Sequence, residues 1–173
     1  MRRPLAATGL ALSLALPAGA VVAPAVAPAL AAPAAEEAAF VLSANGVHVF
    51  ECRQRIGAGN AFGWSFVAPD ATLYDGSASV ARLATVNLWE SLSDRSSVTG
   101  VARASQSAGA SNLPWLLMRA IPLSESGLFA GVTSIQRVNT SGGVAPSGGC
   151  SADTVGAEAR VAFTADYYFY RRR

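Results

Sequence analysis

Residues 161–170 alternate. Val161, Phe163, Ala165, Tyr167 and Phe169 fall on one face of an extended chain, and Thr164, Asp166, Tyr168 and Tyr170 fall on the other. Successive strand side chains point to opposite faces, so this period of two describes a half-buried strand. The period recurs upstream. His48, Phe50 and Cys52 alternate with Val47, Val49 and Glu51, and Phe62, Trp64, Phe66 and Ala68 with Gly63, Ser65 and Val67. Runs at 73–76, 98–104 and 132–138 are β-compatible. Residues 113–120 are apolar on both faces, as in a central strand, with Pro114 at the start where a missing N–H is tolerated. Gly57-Ala58-Gly59-Asn60, Pro69-Asp70, Asp75-Gly76 and the Gly-rich stretch 140–151 punctuate these runs. No later segment shows a helix-length apolar stripe; Ala-rich 36–42 allows one short helix. The expected fold is all-β, a single antiparallel sandwich or barrel-like domain of about seven to nine strands.

The N-terminus reads as an address. Met1-Arg2-Arg3 precedes an apolar run from Leu5 to Leu16, and small residues follow in the Ala-x-Ala pattern of signal peptidase sites. Ala18-Gly19-Ala20 and Ala29-Leu30-Ala31 both fit, while Ala25-Val26-Ala27 is weakened by Pro28 just after the cut. The rival reading is a membrane anchor, but Pro17, Pro24, Pro28 and Pro33 interrupt the stretch. The expected organisation is a signal peptide over 1–31, an Ala/Pro-rich linker over 32–42 and the β domain over 43–173. A secreted, periplasmic or cell-envelope location follows, with no stable membrane span after cleavage.

Export makes cysteine usage informative. Cys52 and Cys150 are the only cysteines, so in an oxidising compartment they form the only available intramolecular disulfide. Two buried free thiols or one reactive thiol is the alternative. All 13 basic residues are Arg, against 11 acids. Removing Arg2 and Arg3 leaves the mature charge balanced, which gives nucleic acid nothing to bind by long-range attraction. The Arg171-Arg172-Arg173 end reads as a solvated, frayed terminus.

Candidate chemistry is sparse. The single histidine, His48, sits on a strand face with Phe50 and Cys52, and no Gly-x-Ser-x-Gly elbow occurs, so a Ser-His-Asp triad is not expected. One His and scattered carboxylates do not make a metal site. Gly57-x-Gly59-x-x-x-Gly63 has the wrong spacing for a dinucleotide fingerprint and lies between strands, so no cofactor is expected. Two acids suffice for glycoside hydrolysis, and Glu90 beside Trp89 and Asp166 in the aromatic C-terminal strand are the candidates. The plainer reading makes Trp89 core and pairs Glu90 with an arginine. An inward Asp166 would take a partner such as Arg119 or Arg137. Trp89, Tyr168 and Tyr170 are the candidate binding aromatics, for carbohydrate or a small apolar ligand. Asn139-Thr140-Ser141 matches a glycosylation sequon.

An ordered set of motifs carries a resemblance. It runs through Phe50-Glu51-Cys52, Trp64 with Phe66, Ala68-Pro69 and Leu73-Tyr74-Asp75. It continues through Trp89-Glu90, Pro114-Trp115-Leu116-Leu117, Thr133-Ser134-Ile135-Gln136-Arg137, Asn139-Thr140, Gly149-Cys150 and Ala165-Asp166-Tyr167-Tyr168-Phe169-Tyr170. From about residue 46 to 170 the chain resembles the exported bacterial and fungal family called domain of unknown function 3455. The resemblance implies membership and carries no activity; a malate dehydrogenase label on some fungal members has no support in these residues. Two departures stand out. A His-containing stretch of the family is replaced by Val80-Ala81-Arg82-Leu83-Ala84, and its Asp-Gly-Ser turn by Asp94-Arg95-Ser96. The expected function is that of a secreted or envelope β domain that binds a ligand or serves a structural role. The alternatives are a carboxylate-dependent glycan hydrolase and a surface assembly protein.

Overall fold

The computed structural model describes residues 21–57 and 61–173. Residues 1–20, which hold most of the expected signal peptide, and 58–60, part of the expected Gly-rich turn, lie outside the described residues. Eight strands follow in order: β1 (Glu36–Gln54), β2 (Phe62–Asp75), β3 (Ala78–Thr85), β4 (Leu88–Ser91), β5 (Ser97–Gln106), β6 (Trp115–Pro122), β7 (Val132–Gly142) and β8 (Glu158–Arg172). Each pairs antiparallel with the next, and β8 returns to β1, closing a barrel. The all-β expectation holds, and the closed form is the one adopted. Helical structure among the described residues is limited to 3-10 turns at Pro28–Leu30 and Ala152–Thr154.

Two local expectations fail for reasons the closure supplies. Residues 36–42 are strand rather than short helix, because β8 pairs with them from Glu36↔Arg172 to Leu42↔Tyr167, interrupted by one bulge between Ala38 and Phe40. The arginine end is not frayed. Arg171 and Arg172 belong to β8, the Arg171 guanidinium lies 5.5 Å from the Phe40 ring centroid and donates to the Leu128 carbonyl at 2.8 Å, and the Arg173 N–H donates to Ala35 O at 3.1 Å. Strand β2 also runs through the expected break at Pro69. β3 reaches only as far as Ala71, so Pro69 has a strand partner on one side alone, where a missing N–H is tolerated.

An eight-stranded barrel has an interior just wide enough for side chains to fill. Here it is filled by large residues set against small ones. Trp89, Tyr167, Phe129, Phe169 and Met118 are fully buried, beside the inward Ala44, Ala71, Ala81 and Ala165. The rings interlock edge to face: Trp89 lies 5.3 Å from Tyr167 and 6.0 Å from Phe169, centroid to centroid. Gly100 makes room for this. A Cβ there would lie 3.1 Å from both the Met118 sulfur and the Trp89 ring. The outer wall carries exposed Arg82, Arg119 and Arg160. Apolar inside and charged outside is the inverse of a barrel that faces lipid. No helix among the described residues is long and apolar enough to cross a membrane.

Both ends are tied. At one end Cys52 and Cys150 are bonded, with Cα atoms 5.3 Å apart, joining β1 to the 143–157 loop across 98 residues. The loop is stitched further by Cys52 N–H to Ala157 O and Gly156 N–H to Cys52 O, both 2.9 Å, and by the Trp64 indole N–H to Gly148 O at 2.7 Å. The chain-entropy argument gives about 4.7 kcal/mol for a loop of about this length. At the other end the 123–131 loop sets Phe129 against Phe40 and Phe169. That loop is held by Asp94, whose carboxylate accepts the Ser96 and Leu128 N–H groups at 2.8 Å each, and by Ser96 Oγ, which accepts the Phe129 N–H at 3.1 Å.

Enlarging Gly100 overfills this interior. Gly100→Leu is expected to destabilise the barrel by about 1–3 kcal/mol or more, read as a lower thermal midpoint with native near-UV aromatic signal reduced. An unchanged midpoint contradicts the packing described.

Candidate functional site

Three regions bring together the side chains with chemistry to offer. The first is the polar pole of the interior near the disulfide. His48 is buried among Phe66 and Phe163, with ring centroids at 4.8 and 4.6 Å, and its Nδ1 lies 3.1 Å from Gly143 O. Arg137 is buried nearby, with Nε and an Nη both donating to Pro114 O at 3.1 and 2.8 Å. Burial, reinforced by the positive charge of Arg137 and opposed by the bond to Gly143, pushes His48 down to about 4. The ring is therefore neutral at pH 7 and stacked on aromatics. Its hydrogen-bond partner is a carbonyl rather than a hydroxyl or thiol. That geometry positions loops; it does not assemble a nucleophile and base.

The second region is β4. Trp89 is fully buried in the core, and Glu90, next along the strand, points outward. Glu90 is gripped by Arg82 at 3.0 Å and Arg95 at 2.7 Å. The Arg82 hydrogen bond first, then the charges of both arginines, hold its carboxyl below the usual range. A proton-donating glycosidase acid needs the opposite shift. Asp94, in the same turn, is held well below the ordinary range by hydrogen bonds from Ser96, then Leu128. Arg95 between them adopts a left-handed backbone, φ 62°. Glycine enters that region at no steric cost, whereas an L side chain such as arginine is strained there.

The third region is a groove of about 450 Å³ on the outer wall. Strand register aligns its floor. Ser43 of β1 stands between Tyr74 of β2 and Asp166 of β8, and Asn45 pairs with Thr164. Asn139, at φ 51°, projects from β7. The Asp166 carboxylate accepts the Ser43 hydroxyl at 2.8 Å and the Asn139 amide at 2.9 Å. Neither Arg119 nor Arg137 reaches it as expected, because Asp166 faces out and Arg137 pairs in register with the inward Tyr167. No ion pair to Asp166 occurs among the described residues. Glu90 on β4 and Asp166 on β8 lie four strands apart around an eight-strand barrel, on opposite walls. The 5–9.5 Å separation of a glycosidase pair (about that range in general) is not one that opposite outer walls provide.

The other candidates separate in the same way. Tyr170 is buried on the outer wall with its hydroxyl on Gln136 Oε1 at 2.7 Å, and Tyr168 is half-buried. The sequon asparagine Asn139 is exposed, with its amide committed to Asp166. The sequence reading passed over Ser43, Asn45 and Tyr74. The alternation of Ser43 and Asn45 with inward Leu42 and Ala44 carried the signal, hidden because 36–46 shows so few large apolar residues.

Residues 33–93 and 84–171 match the family described as protein of unknown function (DUF3455). No curated protein and no solved structure matches the chain.

The buried neutral histidine gives a pH signature. Its folded value of about 4 lies below the ordinary 6.5, so between these values the unfolded chain binds a proton that the native state refuses. The histidine contribution is complete above pH 6.5, falls through the window from 6.5 to 4 and falls no further below it. Thermal midpoints measured across that window are expected to drop in the native protein and to flatten in His48→Gln. At the β4 turn, Arg95→Gly and Arg95→Val both lose the exposed ion pair with Glu90. Only the glycine relieves the left-handed backbone, worth about 1–2 kcal/mol, so denaturant titration is expected to rank Arg95→Gly above Arg95→Val by about that amount.

Proposed function

The chain belongs to the family of proteins of unknown function DUF3455, and we propose that it is an exported β-barrel domain that acts by binding or structure rather than by catalysis, with neutral carbohydrate as the ligand class of the Asp166 groove. The location is the medium or the cell envelope, supported by the Ala-x-Ala leader and the Cys52–Cys150 disulfide.

The observation that carries the reading is the electrostatics of the groove. Asp166 is a carboxylate with neutral donors on each oxygen and no cation partner among the described residues, set among hydroxyl and amide side chains. Each carboxylate oxygen keeps acceptor capacity. Adjacent sugar hydroxyls present the matching donors, and Tyr74 at the rim offers an apolar ring face beside a polar hydroxyl. The filled interior supports a surface site as well. A small apolar ligand would have to displace Trp89, Tyr167 or Phe169 to enter the barrel.

An array of neutral polysaccharides and oligosaccharides, followed by calorimetry on the hits, tests the proposal. The native protein is expected to bind, and Asp166→Ala and Tyr74→Ala to weaken binding at least about tenfold, the loss of one charge-assisted hydrogen bond or one ring face. Unaltered binding in both variants, or no neutral glycan bound by the native protein, overturns it.

A further inference from the structure

The segment before β1 belongs to the fold. Leu30 is 1% exposed, and the Pro28–Leu30 turn packs against β5 and β6. The Leu30 carbonyl accepts the Gln136 amide at 2.5 Å, while the other end of that amide accepts the Tyr170 hydroxyl at 2.7 Å. Gln136 lies on the outer wall, in register with Tyr168, yet it is 1% exposed. An outward amide buried so deeply needs a cover, and residues 21–35 supply one. A crevice of about 350 Å³ lined by Val21, Pro24, Pro33, Gln136 and Tyr170 marks where this strap crosses the wall. Further on, Pro33 O accepts the Glu36 N–H at 2.9 Å and Ala35 O accepts the Arg173 N–H at 3.1 Å, so the strap runs directly into the β1–β8 seam. Pro24, Pro28 and Pro33 restrict the free chain, which lowers the entropy lost when it lies down.

Two leader sites compete in the sequence. Cutting after Ala31 removes Leu30, its carbonyl and the whole turn, and opens Gln136 and Tyr170 to water. Cutting after Ala20 keeps every contact just described. We propose that the Ala20–Val21 bond is the processing site and that residues 21–35 remain in the mature protein as a structural strap over Gln136 and Tyr170. The inference rests on export but not on the carbohydrate reading.

The test is expression of the full 173-residue chain in a secreting host, with N-terminal sequencing and intact mass of the exported protein. A mature chain beginning at Val21 is expected. One beginning at Pro28 or Ala32 overturns the processing site while leaving export standing. A cell-retained chain beginning at Met1 overturns both. The strap has its own readout in the exported protein. Leu30→Asp is expected to lower the thermal midpoint by roughly 5 °C or more, whereas Val22→Asp, at a position 83% exposed, leaves it in place. An exported Leu30→Asp protein with an unchanged midpoint overturns the strap.

Discussion

The pairing of β1 with β8 is the constraint from which the other features follow. It joins residues 36–51 to residues 158–172 along nearly the full length of both strands. A closed sheet has no free edge to template aggregation. It also fixes the interior volume, since strand number sets barrel width. In this eight-strand barrel side chains fill that volume, so Trp89 demands Gly100, and the large aromatics demand the inward alanines. Open space for a ligand is thereby left to the outer wall and the loops.

The same closure organises the polar groups. Those facing inward, His48 and Arg137, are held by carbonyls and aromatic rings at one pole. Those facing outward divide between ion-paired residues, as in the Arg82–Glu90–Arg95 cluster, and the cation-free Asp166 groove. Asp94 is a third kind: an acid whose oxygens tie the loop bearing Phe129. Three carboxylates that look alike in sequence thus do three different things, and register and curvature make the difference.

Much of this was legible from alternation. The period of two in 47–53, 62–68 and 161–170 marked strands, and two cysteines left one intramolecular pairing to form. Trp89 as core and Glu90 as an arginine partner were both available as the plainer readings of those residues. The illegible parts share a cause. Residues 36–46 are strand because of a partner more than a hundred positions away, and Ala-rich chain has no strong preference of its own for helix or sheet once such a partner is present. The short β3 and β4 lacked the aromatic alternation of the longer strands.

The sequence by itself determined the strand class, the single disulfide and the apolar inventory of the core, because these depend on local period and residue type. Tertiary structure decided that the sheet closes, that Glu90 and Asp166 stand on opposite walls, and that the arginine-rich end and the proline-rich strap are built into the fold. Those outcomes depend on which distant segments share an edge, and a period of two specifies faces without specifying neighbours.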